Sequence, residues 1–193
     1  EIRFDFLKID EIPKTLEIVK NDLKKIVCTL RPKTEGGKFE GSEKERISIL
    51  KLIAVYNPFL LDIEFNTIKN DNTLAKYLRS TKTNILISWH DFKKTPNFLE
   101  LKKMMNQMSK FSSNVKIVTT AKSIDDSIKT LQLYSKKGDN NLIAFAMGDK
   151  GKISRILCLY LGSPYTYVSL GKPVVSGQFS VDEIKKITNL KIG

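Results

Sequence analysis

The chain has 193 residues, 41% of them hydrophobic and 28% charged, and a formal net charge of +12. That length and balance suit a folded domain with a substantial core and argue against disorder. No run approaches the roughly 18 apolar residues of a membrane span, and the start lacks the basic-then-apolar layout of a signal peptide.

The basic excess invites a nucleic-acid reading. However, the lysines are spread along the predicted helices, and no arginine-rich block exists to clamp phosphates or read bases. Neither a nucleic-acid nor a membrane partner is therefore expected. The two cysteines, Cys28 and Cys158, lie in apolar segments and read as small buried side chains in a reducing cytoplasm.

The first expected strand covers 1–6, where Glu1, Arg3 and Asp5 alternate with Ile2, Phe4 and Phe6. Successive strand side chains point to opposite faces, so this strand has one apolar side and one polar side. A helix near 11–22 leads to a strand near 25–31, in which Thr29 and Arg31 alternate with Cys28 and Leu30. The stretch 34–41 (TEGGKFEG) is glycine-rich but lacks the lysine–serine ending of a phosphate loop, and it reads as a mobile loop. Ser42, followed by Glu43 and Glu45, starts a helix over 43–56.

The next strand, 59–65, alternates Asp62 and Glu64 with Leu61, Ile63 and Phe65. After a helix near 70–80, the strand at 83–89 runs out into His90, with Ser88 and His90 alternating with Ile87 and Trp89. Pro96 closes a loop before a helix over 97–111. The strand 114–120 carries Lys116 between Val115 and Ile117. Ser123 opens a helix over 123–137, a strand follows at 141–147, and a helix over 152–161 carries Arg155. A last strand at 165–170 leads to the loop 171–178, which reads as a lid bringing Gln178 onto a substrate, and Ser180 opens a final helix over 180–190.

Strands alternating with helices imply parallel pairing and right-handed crossovers, and no low-complexity linker divides the chain. A single domain over 1–193 is therefore expected. Polar residues gathered at strand exits fit strands covered outside by helices and opening inward onto a polar site. At roughly 30 residues per unit, seven strand–helix pairs fall one short of a closed eight-stranded barrel. The expected fold is a (β/α)8 TIM barrel whose first strand–helix unit is missing from this chain. An open doubly wound sheet is the alternative, but the glycine-rich phosphate turn that usually follows its first strand is not present.

A lysine flanked by Val115, Ile117 and Val118 loses hydration if it faces inward, which favours a neutral amine able to form an imine with a ketone. An end-of-strand lysine reaching water gives the same pattern. His90, the only histidine, suits proton transfer near neutral pH, and equally suits a structural role. Glu64 suits orientation of that imidazole, or an ion pair at a strand end. Arg3, Arg31 and Arg155 suit a grip on carboxylate or hydroxyl groups, or surface salt bridges. One histidine and two scattered cysteines offer no metal-ligand spacing.

Taken together, EIRFD (1–5), TLRPKTEGGKFEG (29–41), LLDIEF (60–65), SWHDFKKTP (88–96), VKIVTT (115–120), MGDKGKISR (147–155), LGSPYTY (161–167) and SGQFS (176–180) resemble the type I 3-dehydroquinate dehydratases of the shikimate pathway, in a compact form similar to archaeal members. The resemblance covers essentially the whole chain. It implies a TIM-barrel enzyme that uses no cofactor or metal and forms a homodimer. It also implies that Lys116 forms the imine with 3-dehydroquinate, that His90 moves protons and that Glu64 holds His90. Arg155 would meet the substrate carboxylate, while Glu1, Arg3, Arg31 and Gln178 would bind hydroxyl and carboxylate groups. Many relatives carry a serine four residues before the lid glutamine; here Val174 stands there, and Ser176 is the hydroxyl available to replace it. The competing readings are a Schiff-base aldolase on the same barrel, or a basic RNA-binding domain.

Overall fold

The computed structural model describes residues 1–171 and 176–188, so Val174 and the end of the last expected helix lie outside the described residues. It resolves into two compact units, Glu1–Trp89 and His90–Gly193. No helix among the described residues is long and apolar enough to cross a membrane.

In the first unit, strands β1 (Ile2–Arg3), β2 (Val27–Thr29), β3 (Leu60–Glu64) and β4 (Ile85–His90, whose last residue opens the second unit) alternate with helices α1 (Glu11–Ile18), α2 (Glu43–Val55), α3 (Phe65–Asn70) and α4 (Asn72–Ser80). All pairings are parallel, with Arg3 beside Thr29, Thr29 beside Asp62, and Glu64 beside Ser88. Parallel pairing requires a crossover, and the helices supply it. Phe4, Leu16, Leu30, Leu50, Leu61 and Ile63 are wholly buried and form the centre of this unit's core. Fully burying each such side chain contributes about 1.5–3 kcal/mol. Ser42 begins α2 with a reciprocal capping box to Glu45, as expected from its spacing.

The first expected strand is shorter than its alternation suggested: Phe4–Phe6 turn into a 3₁₀ segment. The Asp5 side chain is the reason. Its carboxylate accepts from the Arg31 and Lys38 backbone N–H groups and from the Arg3 guanidinium, so side-chain bonds replace a strand ladder.

In the second unit, β5 (Asn114–Thr120) and β6 (Asn141–Met147) pair in parallel over their full length. Helices α5 (Phe98–Met108), α6 (Ile124–Leu131), α7 (Ser154–Tyr160) and α8 (Val181–Thr188) complete it. The outer face of β5 meets α6, where Thr119 and Thr130 share a 2.8 Å hydroxyl hydrogen bond. The opposite face carries Lys116, Val118 and Thr120, and in register with them Ile143, Phe145 and Met147.

The strand expected at 165–170 does not form among the described residues. Tyr165-Thr166-Tyr167-Val168 has the composition of a strand, but composition reflects packing on a half-buried surface rather than pairing. Only a parallel bridge from Ser169 to Ser180 is made, through Ser169 N–H to Phe179 O at 2.9 Å and Val181 N–H to Ser169 O at 3.1 Å.

Candidate active site

The exits of β2, β3 and β4 in the first unit build a buried charge cluster around Arg31. Its Nη2 donates to Asp62 Oδ2 at 2.6 Å, and its Nη1 donates to Glu64 Oε1 at 2.8 Å and to Ser88 Oγ at 2.6 Å. Arg46, reaching over from α2, donates to the other Glu64 oxygen at 2.6 Å, to Leu30 O at 2.9 Å and to Thr67 Oγ1 at 2.6 Å. Burial works against the charge on each arginine, yet the facing carboxylates outweigh it and hold both guanidinium groups protonated beyond their ordinary range. Burial pushes the Glu64 carboxyl upward, and the two guanidinium groups oppose that rise.

Glu1 and Arg3 sit at the rim of the same face. Thr29 Oγ1 donates to Glu1 at 2.8 Å, and Arg3 makes two 2.7 Å bonds to Asp5. Burial favours the neutral Asp5 acid, but the Arg3 guanidinium and two backbone donors hold its pKa below the usual value.

The stretch expected to be a mobile loop is tied down against this cluster. Lys33–Glu35 form a 3₁₀ turn, Pro32 bridges to Phe39, and Lys38 N–H reaches Asp5. Gly37 passes so close to Arg31 that a Cβ there would stand 1.9 Å from the Arg31 carbonyl oxygen. The turn buries Glu35, whose carboxyl is pushed up to about 8, first by burial and then by the charge of Glu64. A buried carboxyl titrating near neutrality is a candidate proton carrier.

The second unit holds a different arrangement. Lys116 is 4% exposed despite its charge, and its Nζ lies 4.1 Å from the centroid of the Tyr167 ring. Tyr167 packs on Phe145 with centroids 6.2 Å apart, and Phe145 in turn lies 4.4 Å beneath the Arg155 guanidinium carbon. Two distant cations thus meet one ring pair. Arg155 is 2% exposed, and burial lowers its pKa to about 10. Among the described residues its Nε finds no hydrogen-bond acceptor, an arrangement that suits an arriving anion. Ser154, which opens α7, fixes this helix to the end of β6 by accepting from Ala146 N–H at 2.8 Å and donating to Gly151 O at 2.6 Å.

His90 is half-buried and stacks on Phe92 at 6.1 Å. The next residue, Asp91, donates its N–H to Val118 O at 2.9 Å, and Thr120 Oγ1 donates to Asp91 O at 2.8 Å. Those bonds lay the backbone that follows His90 along the exit of β5, the strand that bears Lys116. Gln178 is half-buried on a segment docked at the end of β6, where Gly148 N–H donates to Ser176 O at 3.3 Å. Ser176 is exposed and its hydroxyl donates to Asp149 Oδ1 at 3.2 Å, so it serves as an attachment of this segment. Gly177 has φ 77° and lies against Gly148, where a Cβ would come within 2.5 Å of the carbonyl oxygen. Among the described residues no group of three or more His, Cys, Asp and Glu side chains is arranged to hold a metal ion.

Reasoning from sequence missed Glu35, Arg46, Phe145 and Tyr167. For Arg46 a signal existed. It falls on the same α2 stripe as Ile49, Leu50 and Ile53, at spacings of three, four and seven, so a charge sat on the apolar face. Glu35 was masked by its glycine-rich neighbours, and Tyr167 by the strand-like alternation around it.

A sequence model described as type I 3-dehydroquinase matches residues 1–192. A 3-dehydroquinate dehydratase of Dehalococcoides mccartyi is 41% identical over 167 residues, which are 85% of this chain and 74% of that protein. One from the archaeon Pyrococcus abyssi is 36% identical over 191 residues, covering 98% of this chain and 86% of that protein. Among solved structures, the 3-dehydroquinate dehydratase of Geobacillus kaustophilus superposes with a TM-score of 0.84 at 24% identity, over 98% of this chain and 80% of that one. The type I enzyme of Clostridium difficile, solved with covalently modified comenic acid, gives 0.82 at 24% identity, over 97% and 79%. Such likeness shows the fold, an α/β architecture of the TIM-barrel kind.

Proposed function

The chain belongs to the type I 3-dehydroquinase family, and from that premise we propose which of its residues carry the chemistry. It is a hydro-lyase of the shikimate pathway that converts 3-dehydroquinate to 3-dehydroshikimate and water. The assigned nucleophile is Lys116. The observation that carries this assignment is a buried amine on the inward side of β5, sharing one ring pair with the buried cation Arg155.

In this assignment the Lys116 amine adds to the substrate ketone and loses water to give a protonated imine, an electron sink that acidifies the neighbouring C–H. His90 removes that proton. The electron pair moves toward the imine nitrogen and then expels the hydroxyl on the next carbon, to which His90 returns the proton. Water hydrolyses the product imine and frees the amine. Arg155, whose Nε has no acceptor among the described residues, is assigned the substrate carboxylate. Glu1, Arg3, Arg31 and Gln178 are assigned its other polar groups; the three described bonds of Arg31 use only three of its five N–H donors. Glu64, whose register partner Ser88 lies two residues before His90 on the same strand, is assigned the support of the imidazole.

The match of the family model over residues 1–192 supports one catalytic barrel domain spanning the chain. A cytoplasmic homodimer without cofactor completes the reading.

Two measurements test it. Incubation with 3-dehydroquinate produces a conjugated enone absorbing in the ultraviolet, and borohydride added during turnover attaches the substrate skeleton to Lys116. Lys116→Ala abolishes both while leaving the circular dichroism unchanged. Capture on another lysine overturns the assignment.

A further inference from the structure

We infer that Tyr167 and Phe145 form an aromatic partition that aims the Lys116 nitrogen and separates it from the Arg155 guanidinium, which makes Tyr167 a positioning residue for imine formation. The inference rests on Lys116 being the nucleophile.

Three contacts draw the partition. The Lys116 Nζ stands 4.1 Å over the Tyr167 ring, that ring tilts against Phe145 at 54° with centroids 6.2 Å apart, and the Arg155 Cζ stands 4.4 Å over Phe145. Tyr165 backs Tyr167 edge-on at 5.7 Å, so the ring cannot swing away without disturbing a second aromatic contact. Phe145 is placed by strand register: Lys116 pairs with Ile143 and Val118 with Phe145, which puts the lysine and the phenylalanine on one face of the β5–β6 pair.

The chemistry needs this kind of wall. A site that binds an anionic ketone requires one cation for the carboxylate and one amine for the carbonyl, and two positive groups in a poorly solvated pocket repel each other. Inserting carboxylates between them would quench the repulsion, but would also compete with the substrate and clamp the ammonium. A ring face attracts a cation through its quadrupole, offers no proton acceptor of comparable strength and carries no net charge. It also treats the ammonium and the protonated imine alike, because both place one positive charge on the same nitrogen. The partition therefore holds Nζ in place through the reaction cycle without penalising the covalent intermediate. Phe145 serves Arg155 in the same manner from its other neighbour.

The test separates the ring from the hydroxyl and from mere bulk. Tyr167→Leu removes the π face, Tyr167→Met does so with a flexible side chain of similar reach, and Tyr167→Phe keeps the face. Each variant is checked by circular dichroism. Its kcat, its KM for 3-dehydroquinate and its rate of borohydride capture are then measured. The expected result is a fall in kcat and in capture rate of about tenfold in Tyr167→Leu or Tyr167→Met, with KM little changed, and wild-type values in Tyr167→Phe. If a folded Leu or Met variant keeps the wild-type capture rate, or if Phe loses as much as Leu, the partition is overturned while the nucleophile stands. If wild-type protein is captured at a residue other than Lys116, the premise itself has failed, and the inference with it.

Discussion

The two buried charge centres of this molecule solve opposite problems. In the first unit Arg31 and Arg46 are met by Asp62, Glu64, Ser88, Thr67 and a backbone carbonyl, all at 2.6–2.9 Å. In the second unit Lys116 and Arg155 are laid on ring faces, and the Arg155 Nε has no acceptor among the described residues. Where the protein supplies both halves of an ion pair, the cluster holds strand exits together and removing one half is costly. Where it lays cations on aromatic faces, the Arg155 Nε keeps no acceptor among the described residues, which suits the proposed substrate anion.

Three variants sharpen or break that contrast. His90→Ala reduces turnover about 10²–10⁴-fold through lost proton transfer, while borohydride still captures substrate on Lys116. Unimpaired turnover would remove His90 from the chemistry. Arg31→Met leaves two buried carboxylates without their shared cation, and the expected loss of folding free energy is about 3–5 kcal/mol by urea titration. A loss below about 1 kcal/mol, the scale of an exposed ion pair, would mean that the cluster is no structural clasp.

The smallest effect concerns Glu35, whose carboxyl is raised from an ordinary 4.5 to about 8. A group raised on folding contributes stability that is complete below its unfolded value and disappears as pH climbs through its folded one. Glu35→Gln therefore flattens the dependence of the melting temperature on pH between 4.5 and 8. At pH 8 it raises that temperature by about 2–4 °C for each kcal/mol of penalty removed. An unchanged slope between wild type and variant would show that another group titrates there.

Much of this was legible in the chain. Lys116 stood out because an ammonium interrupts an apolar strand, and alternation correctly put Asp62 and Glu64 on one side of β3. Ser42, Asn97 and Ser123 each cap a helix through a reciprocal box, a local device that needs only four consecutive residues to be read. What escaped depends on the neighbours that the fold brings together. Glu35 is buried because Gly37 lets the chain press on Arg31, about 20 Å of extended backbone being folded into a tight turn that composition describes only as glycine-rich. Tyr167 matters for what it faces, and its alternating surroundings pointed instead to a strand that is not built.

The contact between Gly177 and Gly148 carries a consequence for engineering. The stretch bearing Gln178 is seated by a backbone-to-backbone fit that tolerates nothing larger than a hydrogen atom at its closest point. Even a methyl group at Gly177 would act as a wedge, prising the glutamine off its perch while every polar side chain around it stayed intact. The reach of that amide is set by an atom the chain does without.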